Sequence, residues 1–294
     1  MSNSIRASLV ALAAGLALTP ALALDGPLNA TYQASEIQLS RLMGRVEVAV
    51  GGTSVSLSIT GKPEELEKVR VTSDAGRLLV EGPRHRWDFD DDDDDIDVKN
   101  LALFKLTVPR GTKLTVQSLM GEAKIGDVGG ELKFSGTMID AQIGRMRTAS
   151  VNVAGNGAIR IADVQEKLVA HISGSGKIFA GNAASAELAV AGSGDITMRA
   201  VAHDLEAKIS GSGDIKADSV NGAMSTQIAG SGSVTVPSGR ADPFSVRISG
   251  HGDVDFGGTA TNPDISAMGS GDVRIGAYTG KLKSRGQASL TIGQ

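Results

Sequence analysis

Cysteine is missing from all 294 residues, which excludes a disulfide framework and a lipid-attachment thiol. Aromatic residues make up only 3% of the chain, with one tryptophan and two tyrosines. A core must therefore be assembled from Val, Ile, Leu and Ala. Basic residues are in slight deficit, 29 Lys plus Arg against 33 Asp plus Glu, for a net charge of −4. A nucleic-acid binder needs a basic face to neutralise phosphates, so that class is set aside. No apolar run reaches the length needed to span a bilayer, and no transmembrane anchor is expected. Glycine is abundant, at 38 residues. Many glycines, many aliphatics and few aromatics suit thin, repetitive β-architecture better than a compact α/β enzyme.

The first 23 residues read as an export signal. Arg6 supplies a positive n-region, residues 7–18 an apolar stretch, and Ala21-Leu22-Ala23 an A-x-A cleavage site after Pro20. Cleavage near Ala23 leaves a periplasmic, secreted or cell-surface protein that is one charge more negative for the loss of Arg6.

The strongest internal signal is a repeat. Gly-x-Gly recurs with its first glycine at Gly155, Gly174, Gly192, Gly211, Gly230, Gly250 and Gly269, at spacings of 19, 18, 19, 19, 20 and 19. Degenerate copies stand at Gly121, Gly136 and Gly286. Four residues after each first glycine come Ile159, Ile178, Ile196, Ile215, Val234, Val254 and Val273, all β-branched. Two residues before it come Val153, Ile172, Val190, Ile209, Ile228, Ile248 and Ala267. Apolar alternation at period two on both sides of a glycine corner marks strands with one buried face. A unit of this length cannot bury that face alone, but coils stacked about 4.8 Å apart turn the aliphatic columns into a continuous core. Two glycines per coil then serve a tight bend where a Cβ is excluded. The expected fold is all-β: a β-solenoid, β-helix-like, of about nine 19-residue coils. An antiparallel meander, each Gly-x-Gly closing a hairpin, fits the alternation equally but gives no reason for a nearly constant period.

Residues 24–116 are less regular. Short strands are expected around Val46–Val50, Val55–Ile59, Val69–Thr72, Leu78–Glu81 and Leu103–Val108, with turns at Gly51-Gly52, Gly61-Lys62-Pro63 and Asp74-Ala75-Gly76. One helical turn fits between Pro63 and Lys68. The expected organisation is a signal peptide at 1–23, a smaller β-rich capping segment at 24–116 and the repeat at 117–294. A terminal solenoid unit must shield its exposed edges, which gives the middle segment its role.

Two stretches together resemble the family described as putative auto-transporter adhesin, head GIN domain. One runs through Val46-Glu-Val-Ala-Val-Gly-Gly, Val55-Ser-Leu-Ser-Ile, Val69-Arg-Val, Leu78-Leu-Val-Glu and Leu106-Thr-Val-Pro109. The other is the reiterated Ile-Ser-Gly-Ser-Gly-Asp/Lys-Ile unit, as at Ile172–Ile178 and Ile209–Ile215. The resemblance spans roughly residues 36 to 290. It implies an exported, β-rich, solenoid-like protein, suggests adhesion, and brings no catalytic residues with it. No translocator barrel follows the repeat, so self-export of the autotransporter kind is not expected.

One feature departs from the resemblance. Residues 88–97 hold eight aspartates in ten positions, behind Arg84-His85-Arg86-Trp87. Such a run cannot form an apolar strand and reads as a solvated loop. Hard cations need several oxygen ligands, so Asp90, Asp92, Asp94 and Asp97 are the candidate ligands for Ca²⁺, although the EF-hand pattern is absent. A basic protein partner is a further reading of the same loop. A second acidic series comes three residues after the first glycines, with Asp195, Asp214, Asp253 and Asp272. Stacked charges about 4.8 Å apart repel by about 1 kcal/mol in water. A solvated edge tolerates that; a row of cation-bridged carboxylates is the sharper alternative.

Catalytic patterns are missing. His171, His203 and His251 fall at different coil positions, the Gly-Ser-Gly serines sit in repeated bends, and no G-x-S-x-G, phosphate loop or H-E-x-x-H occurs. The expected function is therefore a non-enzymatic structural or binding module of the bacterial envelope, adhesin-like, with a surface glycan or protein as partner and no required cofactor. Two alternatives stand beside it. One is a Ca²⁺-dependent β-helical polysaccharide lyase using Lys177, Asp195 and Arg199. The other is a self-assembling scaffold, a homo-oligomer joined through the exposed solenoid end at residues 288–292.

Overall fold

A computed structural model describes residues 22–24, 26–83, 101–287 and 289–293. The chain divides into two compact units, Met1–Lys133 and Phe134–Gln294.

The first unit opens with strands β1 (Leu22–Ala23), β2 (Leu28–Tyr32), β3 (Glu36–Ser40), β4 (Met43–Val50) and β5 (Val55–Thr60). One helical turn, α1 (Pro63–Leu66), starts on a proline whose fixed φ suits the first helical position. Strands β6 (Arg70–Asp74), β7 (Arg77–Glu81), β8 (Leu103–Val108) and β9 (Lys113–Ile125) follow. The five strands and the helical turn expected between Val46 and Val108 are all present; β2 and β3 are additions. Here β3 and β4 form a coil, with β9 parallel to both on one side and β7 and β8 parallel on the other. Beyond these, β5 pairs antiparallel with β8, β2 with β5, and β6 with β7. Parallel winding thus gives way to antiparallel strands that cover the backbone edge of the coil.

The second unit contains the repeat. Strand β10 (Glu131–Ile143) leads into β11 (Thr148–Ile161), β12 (Val164–Gly174), β13 (Lys177–Ala180) and β14 (Ala183–Gly192). Then come β15 (Asp195–Val201), β16 (Leu205–Gly211), β17 (Asp214–Gly230), β18 (Ser233–Val236) and β19 (Ser238–Gly250). The last strands are β20 (Asp253–Thr261), β21 (Asp264–Gly269), β22 (Asp272–Thr279), β23 (Lys283–Gly286) and β24 (Ser289–Ile292). From β11 onward each strand pairs in parallel with the equivalent strand one coil later. Ile172, Val190, Ile209, Ile228, Ile248 and Ala267 fall in one register column. Ile178, Ile196, Ile215, Val234, Val254 and Val273 fall in another. Every residue of both columns is buried. Parallel pairing rules out the meander: the chain is a β-solenoid of about nine turns.

Parallel sheets are normally covered on both faces and read as continuous apolar runs. These strands alternate instead, as in β16, because each coil wraps one face around the core and leaves the other to solvent. The aliphatic expectation was incomplete. Phe104, Phe134, Phe244 and Phe256 are also buried, and the last two stack with centroids 5.3 Å apart at 25°.

One core position is chemically mismatched. Thr226 is 0% exposed, in register with Ala207 and Val246, and its Oγ1 has no hydrogen-bond partner. Burying an unpaired hydroxyl costs about 1–3 kcal/mol, whereas an apolar group of the same shape costs nothing comparable. Thr226→Val is expected to raise stability by about 1 kcal/mol, read as a higher urea midpoint at unchanged slope.

Candidate binding face

The strand that precedes each Gly-x-Gly exposes two residues per coil, three and one before the first glycine. The first series is Asn152, His171, Ala189, Lys208, Gln227, Arg247 and Ser266, continued in register by Arg285, which directly precedes Gly286 because Gly286 pairs with Ala267 and not with Gly269. The second includes Ser173, Ala191, Ser210, Ala229, Ser249 and Met268. Long polar side chains therefore run beside a strip of small ones. The resulting open groove has a volume of about 580 Å³ and is floored by the edges of Ile172, Val190, Ile209, Ile228 and Ile248. From Asn152 to Ser266 it crosses six coil steps, about 29 Å at 4.8 Å each. Among the described residues no Phe, Tyr or Trp lines it.

Carboxylates stand on the outer side of the long series, two residues further from the bend. Glu187 accepts a hydrogen bond from Lys167 Nζ at 3.0 Å, and Glu206 pairs with Lys208 at 2.6 Å. The Lys167 hydrogen bond, helped by the charges of Lys167 and Lys208, holds the Glu187 carboxyl below its ordinary value against opposing desolvation. A carboxylate lowered in this way stabilises the fold above its unfolded pKa of 4.5 and loses that contribution as pH falls through the lowered value. Lys167→Gln should cost under about 1 kcal/mol at pH 7, and the difference from the parent in denaturation midpoints should shrink as pH falls from 4.5 through the lowered Glu187 value.

The other aspartate series is explained by hydrogen bonding to the neighbouring coil. Asp195 and Asp214 stack in register, as expected. Asp195 pairs with Lys177 at 3.2 Å. Asp214 Oδ1 accepts from Ser233 N at 3.2 Å and Ser233 Oγ at 2.6 Å, and Asp253 Oδ1 accepts from Asp272 N at 2.9 Å. Asp214 and Asp253 take up backbone donors beside the bend and Asp195 a lysine, which offsets their mutual repulsion. The same device recurs at another corner, where Asp163 accepts from Asn182, Asp204 from Ala223 N and Asn262 from Lys281 N. Among the described residues no group of three or more His, Cys, Asp or Glu side chains is placed to hold a metal.

Of the three residues considered for lyase chemistry, Lys177 and Asp195 meet in an exposed ion pair. Arg199 lies on the same strand as Asp195, four residues on and about 13 Å along it. The histidines stay apart: His171 lines the groove, His203 is at a corner, and His251 Nδ1 lies 2.6 Å from Ser270 Oγ on an exposed bend. Asp90, Asp92, Asp94 and Asp97 lie outside the described residues. Their flanks are described: Gly82 packs against Arg41 O, and Ala102 O lies against Gly44. Gly82 and Ala102 therefore both stand beside the Arg41–Gly44 corner of the first unit.

Comparison with known proteins bears on the repeat. Residues 179–278 match the family model described as putative auto-transporter adhesin, head GIN domain. The matched segment begins in β13, ends in β22, and contains Lys208, Gln227, Arg247 and Ser266 of the groove. It is narrower than the span from 36 to 290 over which the motifs resemble that family. Solved structures similar to the chain include three from two organisms. One is a putative lipid binding protein from Parabacteroides distasonis ATCC 8503, at 16% identity over 92% of this chain and 99% of that one, with a TM-score of 0.43. The second is a putative adhesin from the same organism, at 15% over 91% and 98%, TM-score 0.47. The third is a putative adhesin from Bacteroides fragilis NCTC 9343, at 16% over 92% and 98%, TM-score 0.36. No curated protein matches the chain. Among the described residues no helix is long and apolar enough to cross a membrane.

Proposed function

We propose that this protein is a non-enzymatic, exported binding module of the bacterial envelope, adhesin-like in presenting a repetitive β-surface to a surface glycan or protein. The observation that carries the reading is the open groove of register-aligned polar side chains on the second unit. Concave, partly apolar surfaces with convergent polar groups are where ligands bind. The adhesin description of the family matched at 179–278 supports the same reading. So does the dispersal of the described histidines over separate parts of the coil, where the one that meets a hydroxyl, His251 beside Ser270, stands on an exposed bend. Export rests on the leader-like first 23 residues. Cleavage after Ala23 would remove β1, which pairs with β6, and make the buried Leu24 the first residue.

The test is to recover the exported chain, measure its intact mass, and probe it against an array of envelope glycans and proteins. Loss of residues 1–23 and saturable binding, with every ligand recovered intact, is the expected result. Chelator-sensitive depolymerisation of an acidic glycan would replace this reading with the lyase. No binding across the array, with full-length mass retained, would remove it.

A further inference from the structure

The groove carries a second period, twice that of the coil. Reading along the long series, a basic residue stands on every other coil: His171, Lys208, Arg247 and Arg285, with Ala189, Gln227 and Ser266 between them. The small series keeps the same phase. Ser173, Ser210 and Ser249 share coils with the first three basic residues, while Ala191, Ala229 and Met268 occupy the coils between. Alternate coils thus offer one nitrogen base or cation and one hydroxyl two residues apart on the same exposed face. With coils about 4.8 Å apart, the pairs recur about every 10 Å.

We propose that this face binds a linear acidic polysaccharide carrying one anionic group per disaccharide, laid along the solenoid axis. An extended β-linked disaccharide is close to two coil steps in length, so each repeat would bring its anion to the next cation and a sugar hydroxyl to the next serine. The strip of Ser and Ala side chains leaves room for the sugar rings. Glu187 and Glu206 lie on the far side of the cation series and steer an anionic polymer toward that strip. Lys208 is partly neutralised by Glu206 at 2.6 Å, whereas the partner the structure gives Arg247 is a neutral hydroxyl, Ser245 Oγ at 3.4 Å. Arg247 is therefore the dominant contact and Lys208 the weaker one. Without an aromatic platform, affinity comes from many exposed charge contacts and falls steeply with salt. The inference rests on the binding-module reading and specifies its ligand.

The experiment uses the full exported chain and measures binding to hyaluronan, with one carboxylate per disaccharide, beside cello-oligosaccharides and phosphatidylglycerol vesicles. Binding to hyaluronan alone, weakened by salt, is expected. Arg247→Gln should weaken it about fivefold, the effect of removing one cation from an anionic surface. The deciding variant is Gln227→Arg combined with Arg247→Gln, which keeps the net charge and moves one cation by a single coil. Both positions are exposed, so an unchanged melting temperature checks the fold. The double variant should bind as weakly as Arg247→Gln. Full binding by the double variant would overturn the spacing, and capture by vesicles without hyaluronan would replace the polysaccharide with a membrane. Binding to another array ligand, untouched by these variants, would sink this inference yet leave the binding-module reading standing. Silence on every ligand would sink both.

Discussion

Gly192→Ala should destabilise the protein by about 3 kcal/mol or more. Two independent costs combine at this position. Gly192 has φ of +126°, and the first glycines of the neighbouring repeats lie close to it, from +127° to +134° at Gly174, Gly211, Gly230, Gly250 and Gly269. An L-residue forced into such a conformation costs about 1–3 kcal/mol. A Cβ at Gly192 would also stand 2.5 Å from the carbonyl oxygen of Gly174 in the coil below. Backbone cannot swing aside as a flexible side chain can, so overpacking adds about 1–3 kcal/mol more. Gly26→Ala is the control, since nothing lies within 4 Å of a Cβ built there and its φ is not positive; it should stay within about 0.5 kcal/mol of the parent. In a stack whose coils touch only their neighbours, the damage should also be local. Amide exchange should accelerate around Gly174, Gly192 and Gly211 before it does in β22.

The second glycine of each triad has a different reason to exist. Gly194 does not have a positive φ, but a Cβ there would meet Ile172 Cγ2 at 2.6 Å and Gly176 O at 2.5 Å. It makes way for the β-branched column of the preceding coil. Both glycines and both aliphatic columns were legible in the sequence because a constant coil length converts stacking in space into spacing along the chain. Where that conversion fails, so does the reading. Gly44 stacks on Gly121 with the same left-handed bend, at φ of +137° and +123°. Yet β5 to β8 intervene between the two coils, so no 19-residue period links them. Leu42, Gly44 and Val48 nevertheless carry the local pattern of the repeat, with Leu42 and Val48 buried, and that would have been the signal.

The groove was hidden for another reason. Alignment on the glycines makes inward columns stand out because the core demands one residue type at each position. Outward columns vary, as His171, Ala189, Lys208 and Gln227 do, and mean something only when their order is compared with the register. Thr226 shows the opposite failure. In the sequence it is one polar residue among many in Ser225-Thr-Gln, and only the pairing with Ala207 and Val246 places its hydroxyl in the core. Charge patterning likewise revealed the Asp195–Asp214 stack but not the Lys177 ammonium and the Ser233 donors that make it tolerable.

Phe256→Ala carries the other large expected effect, a loss of about 3–5 kcal/mol. Phe256 is 0% exposed, between Val236 and Ile275 in register, and its ring stacks on Phe244, which is equally buried. The two aromatics sit where the repeat is irregular. Gly230 and Gly250 are 20 residues apart, and the pairing of β17 with β19 slips between Gly222 and Met224. Large rigid side chains fill the interior beside that slip, where an alanine would leave a void that rigid neighbouring strands cannot close. Phe256→Leu keeps most of the volume and should cost less than about 1.5 kcal/mol. Combining Phe256→Ala with Phe244→Ala should cost less than the sum of the single losses by about 0.5–1.5 kcal/mol, the worth of the ring contact itself. Strict additivity in urea denaturation would mean that the rings fill space independently, and that cavity volume alone sets the loss at this irregular coil.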